Sequence, residues 1–204
     1  MSLSSREEET QRRYNSQAGQ WMKASGGIDR AWFWPEELEA LVALVPTGVY
    51  GIEVGCGPAT DGKYLRQKGL VPVSVDYSEA MLALAKQADP DADVRLMDIY
   101  DLEFAQDTFE WFWATACLLH LERPTDALEQ LQRVTRSGGY GVVTVKEGVG
   151  ELIDQNTGYY FHYFSDKGMS QMFTSSKMQV VRRSRKNGGQ SGYDWLTYVV
   201  QIKK

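Results

Sequence analysis

The sequence predicts an α/β fold: a doubly wound, mostly parallel sheet with helices on both faces and an antiparallel hairpin at its end. Three observations carry this. Apolar, β-branched runs alternate with amphipathic stretches of helical period over residues 49–146, the pattern of a parallel sheet with right-handed crossovers. The first run, VYGIEV, passes into Gly55-Cys56-Gly57 and a helix start near Thr60, which brings bare backbone N–H groups close to a ligand. Residues 178–184 and 195–202 are strand-like runs joined by KNGGQSG, a turn composition.

In chain order, residues 1 to about 12 are charged and read as frayed or loosely helical. Tyr14, Ala18 and Trp21 then fall near one helical face. Trp21, Trp32, Phe33 and Trp34 make the next stretch too aromatic for a plain linker. Pro35 suits a first helical turn, and residues 36–45 form an amphipathic helix with Leu38, Leu41, Val42 and Val45 inward. After the glycine turn, a short helix over 60–68 is capped by Gly69. A second strand over 71–75 ends in Asp76, and Ser78 is a good N-cap for a helix over 79–87. A third strand over 94–97 ends in Asp98, and a fourth covers 109–114. Pro124 starts a helix to about Val134, and Ser137-Gly138-Gly139 leads into a fifth strand over 141–146. Residues 147–158 read as a glycine- and acid-bearing loop. The aromatic block YYFHYF follows, and Ser165 and Asp166 can cap a helix to about Phe173.

Bulk properties narrow the function classes. The chain has 204 residues, enough for one domain with a sizeable core. No apolar run approaches roughly 18 residues, so no membrane span is expected. The first residues lack the apolar core of a signal peptide, and two cysteines, Cys56 and Cys117, suit a reducing cytoplasm. With 27 acidic against 22 basic residues, the net charge of −5 argues against a nucleic-acid partner. Arg182, Arg183, Arg185 and Lys186 run into NGGQSG and read as a solvated hairpin tip.

The glycine turn lacks two common nucleotide signatures. A dinucleotide turn wants a third glycine where Thr60 stands, and a phosphate-cradling loop wants Gly-Lys-Ser/Thr where Gly62-Lys63-Tyr64 stands. Instead Glu53 lies two residues before Gly55, where a carboxylate can accept from an ammonium group. Asp76, about 20 residues on, is placed for ribose hydroxyls, and Asp98 for an adenine amino group. A ligand with an ammonium, a ribose and an adenine is S-adenosylmethionine.

At this point the runs EVGCGPAT, VSVDYS, LMDIYDL, FWATACLLHL and RSGGYGVVTVKEG resemble a class I S-adenosylmethionine-dependent methyltransferase. Within that class they resemble small bacterial-type enzymes with a Leu-Leu-His stretch after strand four and Val-Lys-Glu-Gly at strand five. The resemblance spans about residues 14–204 and implies a Rossmann-like sheet of seven strands with the last antiparallel. It places Glu53, Gly55, Cys56 and Gly57 on the methionine part, Asp76 on the ribose and Tyr77 on the adenine. Asp98 and Ile99 meet the adenine edge, Ala114 and Thr115 pass beneath the cofactor, and Tyr14 and Trp21 close over it. Ala59 replaces the family's third glycine, which puts an extra methyl near the methionine part. The implied organisation is one domain, 1–204: a helical cap over 1–45, a cofactor-binding half over 46–146, and an aromatic loop, helix and hairpin over 147–204.

Methyl transfer asks mainly that nucleophile and methyl be held together in a dry site. A general base is needed only for a protonated acceptor, and the candidates are His120 and Glu147. Lys146 and Glu147 end strand five and can pair with one another. Trp34, His120, Tyr160 and His162 are the candidate acceptor-pocket residues, with Tyr159 and Tyr163 nearby in the aromatic block. The expected activity is methylation of a small molecule by a monomer or homodimer. The alternatives are an RNA or protein methyltransferase, or a cofactor-binding protein without transfer activity.

Overall fold

The alternating half of the chain forms five parallel strands in the computed structural model, which describes residues 3–24, 33–188 and 192–204. These are β1 (Tyr50–Val54), β2 (Val71–Asp76), β3 (Val94–Leu96), β4 (Phe109–Thr115) and β5 (Thr135–Lys146). A hairpin of β8 (Met178–Lys186) and β9 (Trp195–Ile202) completes a seven-stranded sheet of order β3-β2-β1-β4-β5-β9-β8. Only β9, the last strand, runs against its neighbours, as the sequence predicts. The winding reverses between β1 and β4, so a crevice opens beyond their carboxyl ends, where such sheets bind ligands.

Alternation within the strands sends side chains to two helical layers. Phe112, Val143, Tyr198 and Val200 share a core with Leu128 and Leu131 of α5 (Pro124–Val134) and Met169 and Phe173 of α6 (Asp166–Ser175). Trp111, Trp113, Val142 and Val199 pack with Leu38 and Leu41 of α2 (Pro35–Val42) and Leu65 of α3 (Thr60–Gln67). Two strand glycines make room for β4's aromatics: a Cβ on Gly51 would lie 2.0 Å from the Trp111 ring, and one on Gly141 would lie 2.0 Å from Phe112. Helix α4 (Glu79–Ala88) is N-capped by Ser78, whose hydroxyl accepts from Met81 N at 3.3 Å.

Three local expectations are corrected. The charged N-terminus is one helix, α1 (Ser5–Ala24), and not a frayed tail. Glu7, in its first turn, is fully buried: its carboxylate accepts from the Ser4 and Glu122 amides at 2.7 and 3.0 Å and from the Tyr100 hydroxyl. Burial alone would raise its pKa, but these hydrogen bonds outweigh it and hold the carboxyl below its usual range. The stretch read as a loop contains β6 (Gly150–Ile153), paired antiparallel with β7 (Tyr160–Tyr163) as a separate ribbon. The basic cluster sits on β8 itself, with Arg183 on Asp166, Arg185 on Glu147 and Asp194, and Lys186 donating to the Phe33 carbonyl. The tip of the KNGGQSG turn, 189–191, and Trp32 lie outside the described residues. No described helix is long and apolar enough to cross a membrane.

Candidate active site

The carboxyl ends of β1, β2, β3 and β4 open onto one cavity with about 1070 Å³ of empty space, part of it open to solvent. Glu53, Gly55, Cys56, Gly57, Asp76 and Tyr77 line one stretch of it, and Asp98, Ile99 and Thr115 another. Register explains the first contact: Glu53 pairs with Ser74 across β1 and β2. The Ser74 hydroxyl donates to one Glu53 oxygen, and the Gly62 amide, in α3's first turn, donates to the other at 3.1 Å. Burial, with Asp61 beside it, pushes the Glu53 carboxyl up to about 8.

Asp76 ties two turns together. One oxygen accepts from Gly57 N at 2.7 Å and the other from Ser78 N at 2.8 Å. Burial raises its pKa, opposed by those amides. Asp98 accepts from Tyr100 N at 2.9 Å and is likewise raised by burial. Gly55 and Gly57 both have positive φ, +62° and +52°. At Gly55 a Cβ would also strike the Cys117 Sγ at 2.5 Å, whereas at Gly57 there is open space. Ala59 adopts the same left-handed backbone, with φ +54°, but its methyl packs with Cys56, Leu82 and Ala85, and it does not line the cavity. The expected intrusion on the methionine part is therefore corrected: the irregularity is in the backbone. Burial pushes the Cys117 thiol up to about 12 and raises Cys56 as well, so both are poor nucleophiles.

The other wall is assembled from distant segments. Tyr14 and Trp21 reach the cavity from α1, Trp34 from the start of α2, and His120 from the short turn after β4. Tyr14 stacks on Tyr159 at 4.6 Å, and its hydroxyl lies 2.8 Å from His120 Nε2. His120 Nδ1 is 2.8 Å from the Tyr160 carbonyl. A carbonyl only accepts, so Nδ1 carries the proton and Nε2 accepts from Tyr14. Burial pushes this imidazole down to about 4. Both nitrogens are engaged, so His120 has no lone pair left for an acceptor's proton.

Four expected residues stand elsewhere. Ala114 is fully buried in β4, facing the core beneath the sheet, because the neighbours Trp113 and Thr115 take the alternate positions. Tyr160 is buried under Arg6, whose guanidinium lies 4.8 Å from its ring centroid. His162 stacks on Phe164 at 4.4 Å, with Nδ1 towards the Leu121 carbonyl. Glu147 pairs with Arg185 at 2.6 Å, and Lys146 lies 3.8 Å over the Phe161 ring, so the two do not pair with each other. None of the four lines the cavity.

The comparisons with known proteins bear on this geometry. Residues 52–143, a little under half of the chain, match the family described as "Methyltransferase domain". Over these residues the chain is similar to methyltransferase domains. The cofactor of this class is S-adenosylmethionine. The demethylmenaquinone methyltransferase of Renibacterium salmoninarum is 32% identical over 110 residues, 54% of this chain and 46% of that protein. The chain thus spans about half the length of the curated relatives it matches. The fold is shared with 1,6-didemethyltoxoflavin-N1-methyltransferase of Burkholderia thailandensis, solved with 1,6-didemethyltoxoflavin and S-adenosylhomocysteine, at TM-score 0.78 and 15% identity. That likeness covers 100% of this chain and 93% of the other. The [4+2]-cyclase SpnF shares the fold equally, at TM-score 0.77 and 14% identity over 100% and 98% of the two chains.

The matched segment supplies all four acids at the cavity, while Tyr14, Trp21 and Trp34 come from outside it. Sequence reasoning missed Asp61. Its Oδ2 accepts from Trp113 Nε1 at 2.8 Å and from Thr115 Oγ1 at 2.7 Å, and it lines the cavity. The signal was available, since two hydrogen-bond donors near the end of a buried strand need an acceptor.

Proposed function

We propose that this chain transfers a methyl group from S-adenosylmethionine to a small-molecule acceptor. The observation that carries it is the three strand-end carboxylates, Glu53, Asp76 and Asp98, meeting the open glycine turn around one cavity. The cavity suits a ligand of this size, and at Gly57 the space a Cβ would enter is open. When bound, the cofactor supplies an electrophilic methyl: the acceptor's lone pair bonds to carbon while the carbon–sulfur bonding pair returns to sulfur. The chain's own part is to bind, orient and exclude water.

In this reading Glu53 accepts from the ammonium, using lone pairs beyond those held by Ser74 and Gly62. The backbone of Gly55, Cys56 and Gly57 borders the methionine part. Asp76 binds the ribose hydroxyls and Tyr77 covers the adenine. Asp98 and the Ile99 backbone meet its edge, and Thr115 lies below the reacting centre. Tyr14 and Trp21 roof the site. Tyr160, His162 and Glu147 take no direct part, and His120 orients Tyr14. A small acceptor agrees with the methylated compounds in the names of the demethylmenaquinone and didemethyltoxoflavin enzymes.

Calorimetry with S-adenosylhomocysteine tests the cofactor half of the proposal, and absence of binding at millimolar ligand sinks it. Release of S-adenosylhomocysteine from S-adenosylmethionine across an acceptor panel tests transfer. One observation favours a second reading: the same fold, at nearly the same similarity, belongs to a [4+2]-cyclase. Cofactor binding without turnover on any acceptor would support a protein that keeps the site but does other work.

A further inference from the structure

The cavity is charged in one sense only. Glu53, Asp61, Asp76 and Asp98 line it, and among the described residues no Lys or Arg does. The nearby cations pair outside the cavity: Lys146 lies over Phe161, Arg66 pairs with Asp89 at 2.6 Å, Arg6 pairs with Glu122 and Glu151, and Arg123 pairs with Asp126 at 3.2 Å, although the charges of Arg66 and Arg123 reach Glu53 and Asp98. His120, the one imidazole at the cavity, is neutral, with its ring proton given to a carbonyl. With Glu53 held protonated up to about pH 8, a carboxylate or phosphate entering this space would meet the three aspartates, Asp61, Asp76 and Asp98, and no lysine or arginine among the described lining residues.

The acids are not spread evenly. Asp76 and Asp98 end β2 and β3, on the side that the cofactor's ribose and adenine would occupy. On the methyltransferase reading the acceptor would enter over β4, where Asp61 is held by Trp113 and Thr115. Here the walls are aromatic and fixed. Trp34, only 4% exposed, is packed edge-to-face on Phe33 at 4.7 Å and on Trp195 at 5.2 Å. Tyr14 is clamped between the Tyr159 ring and His120. Rings already held in place lose little freedom when a flat ligand packs on them, and aromatic faces attract cations.

We propose, building on the methyltransferase reading above, that the acceptor is a planar aromatic compound that is neutral or cationic, selected by Trp34 and Tyr14 and by the Asp61 carboxylate. Carboxylate and phosphate acceptors are disfavoured by that carboxylate, which no described lysine or arginine at the cavity offsets.

Three probes that share one ring and differ in charge test this: indole, tryptamine and indole-3-acetate, titrated by calorimetry into protein saturated with S-adenosylhomocysteine. Tryptamine and indole are expected to bind, and indole-3-acetate at least tenfold more weakly than either. Indole-3-acetate binding as tightly as tryptamine overturns the proposal, and so does failure of all three at millimolar concentration. Either result leaves the cofactor reading standing, whereas failure of S-adenosylhomocysteine itself removes both. The Asp61→Asn variant, whose amide oxygen can still accept from Trp113 and Thr115, should narrow the gap between tryptamine and indole-3-acetate severalfold. An unchanged gap in a variant that melts like wild type removes Asp61 from the selection.

Discussion

The two walls of the cavity are built on opposite plans. On the strand-end wall, Glu53, Asp76 and Asp98 each follow an apolar run, and their partners lie no more than 21 residues away: Glu53 holds Gly62 and Ser74, Asp76 holds Gly57 and Ser78, and Asp98 holds Tyr100. On the cap wall, Tyr14 meets His120 across 106 residues, and Tyr160 N donates to Thr10 across 150. The first wall is a property of the sheet's edge. The second exists only when α1, the turn after β4 and the β6–β7 ribbon come together. Variants should therefore damage binding on the first wall and docking on the second.

The largest effect is expected at Asp76. Asp76→Ala removes the acceptor for two backbone amides and for both ribose hydroxyls. Charge-assisted bonds are worth about 1.5–3 kcal/mol each, so S-adenosylhomocysteine affinity should fall by roughly 10²- to 10⁴-fold. Stability should fall as well, by about 1–3 kcal/mol for each stranded amide. Asp76→Asn, which keeps one acceptor, should fall between. If calorimetry gives wild-type affinity for the alanine variant, the ribose does not lie on β2.

A pH experiment separates the two walls, because burial shifts an acid and an imidazole oppositely. The Glu53 carboxyl is raised to about 8 from 4.5. Its stabilising contribution is complete below about 4.5 and is lost as pH rises through 8. His120 is lowered to about 4 from 6.5. Its contribution is present above 6.5 and is lost as pH falls through 4. The two slopes oppose each other between 4.5 and 6.5, and above 6.5 the Glu53 slope stands clear of His120. Ligand-free protein should therefore lose about 2 kcal/mol in urea unfolding between pH 6.5 and 8. Glu53→Gln should flatten that limb and steepen the limb between 4.5 and 6.5, where the His120 slope is then unopposed. S-adenosylhomocysteine should bind more tightly as pH rises towards 8, because its ammonium favours the ionised Glu53. An identical alkaline limb in the Glu53→Gln variant would place the titration elsewhere.

How much of each wall was legible follows from these distances. Strand ends, the glycine turn and the Ser78 cap are local patterns, so their residues could be placed from a few neighbours. Glu7 could not. It sits in a run of charges whose hydropathy says solvent, and its burial depends on Tyr100 and Glu122, far along the chain. The β6–β7 ribbon was hidden for another reason: its four-residue strands are short, and β6 is wholly exposed, so no alternation marks them. Glu147 and His162 carried plausible chemistry by type, but which way each points is decided by packing against β8 and Phe164.

Tyr14→Phe probes the cap wall at smaller scale. It leaves His120 Nε2 buried without its donor, at a cost of about 1–2 kcal/mol. Faster hydrogen exchange should appear in α1, and S-adenosylhomocysteine affinity should change less than in the Asp76 variants. A larger loss of affinity than at Asp76 would reverse the comparison and make the roof the main binding element.

Ala59→Gly is the smallest change and tests where the turn's irregularity lies. A non-glycine residue in the left-handed region costs roughly 1–2 kcal/mol, which glycine would relieve. Against that stand the lost packing of one methyl on Leu82 and Ala85, about 0.8 kcal/mol, and the added freedom of the unfolded chain, about 0.4–1 kcal/mol. The terms nearly cancel, so the melting temperature should barely move. Affinity for S-adenosylhomocysteine should also stay within about twofold, because the methyl faces the α4 cluster and not the cavity. A severalfold gain in affinity would mean that the turn carries the methyl into the cofactor's space once the ligand is bound.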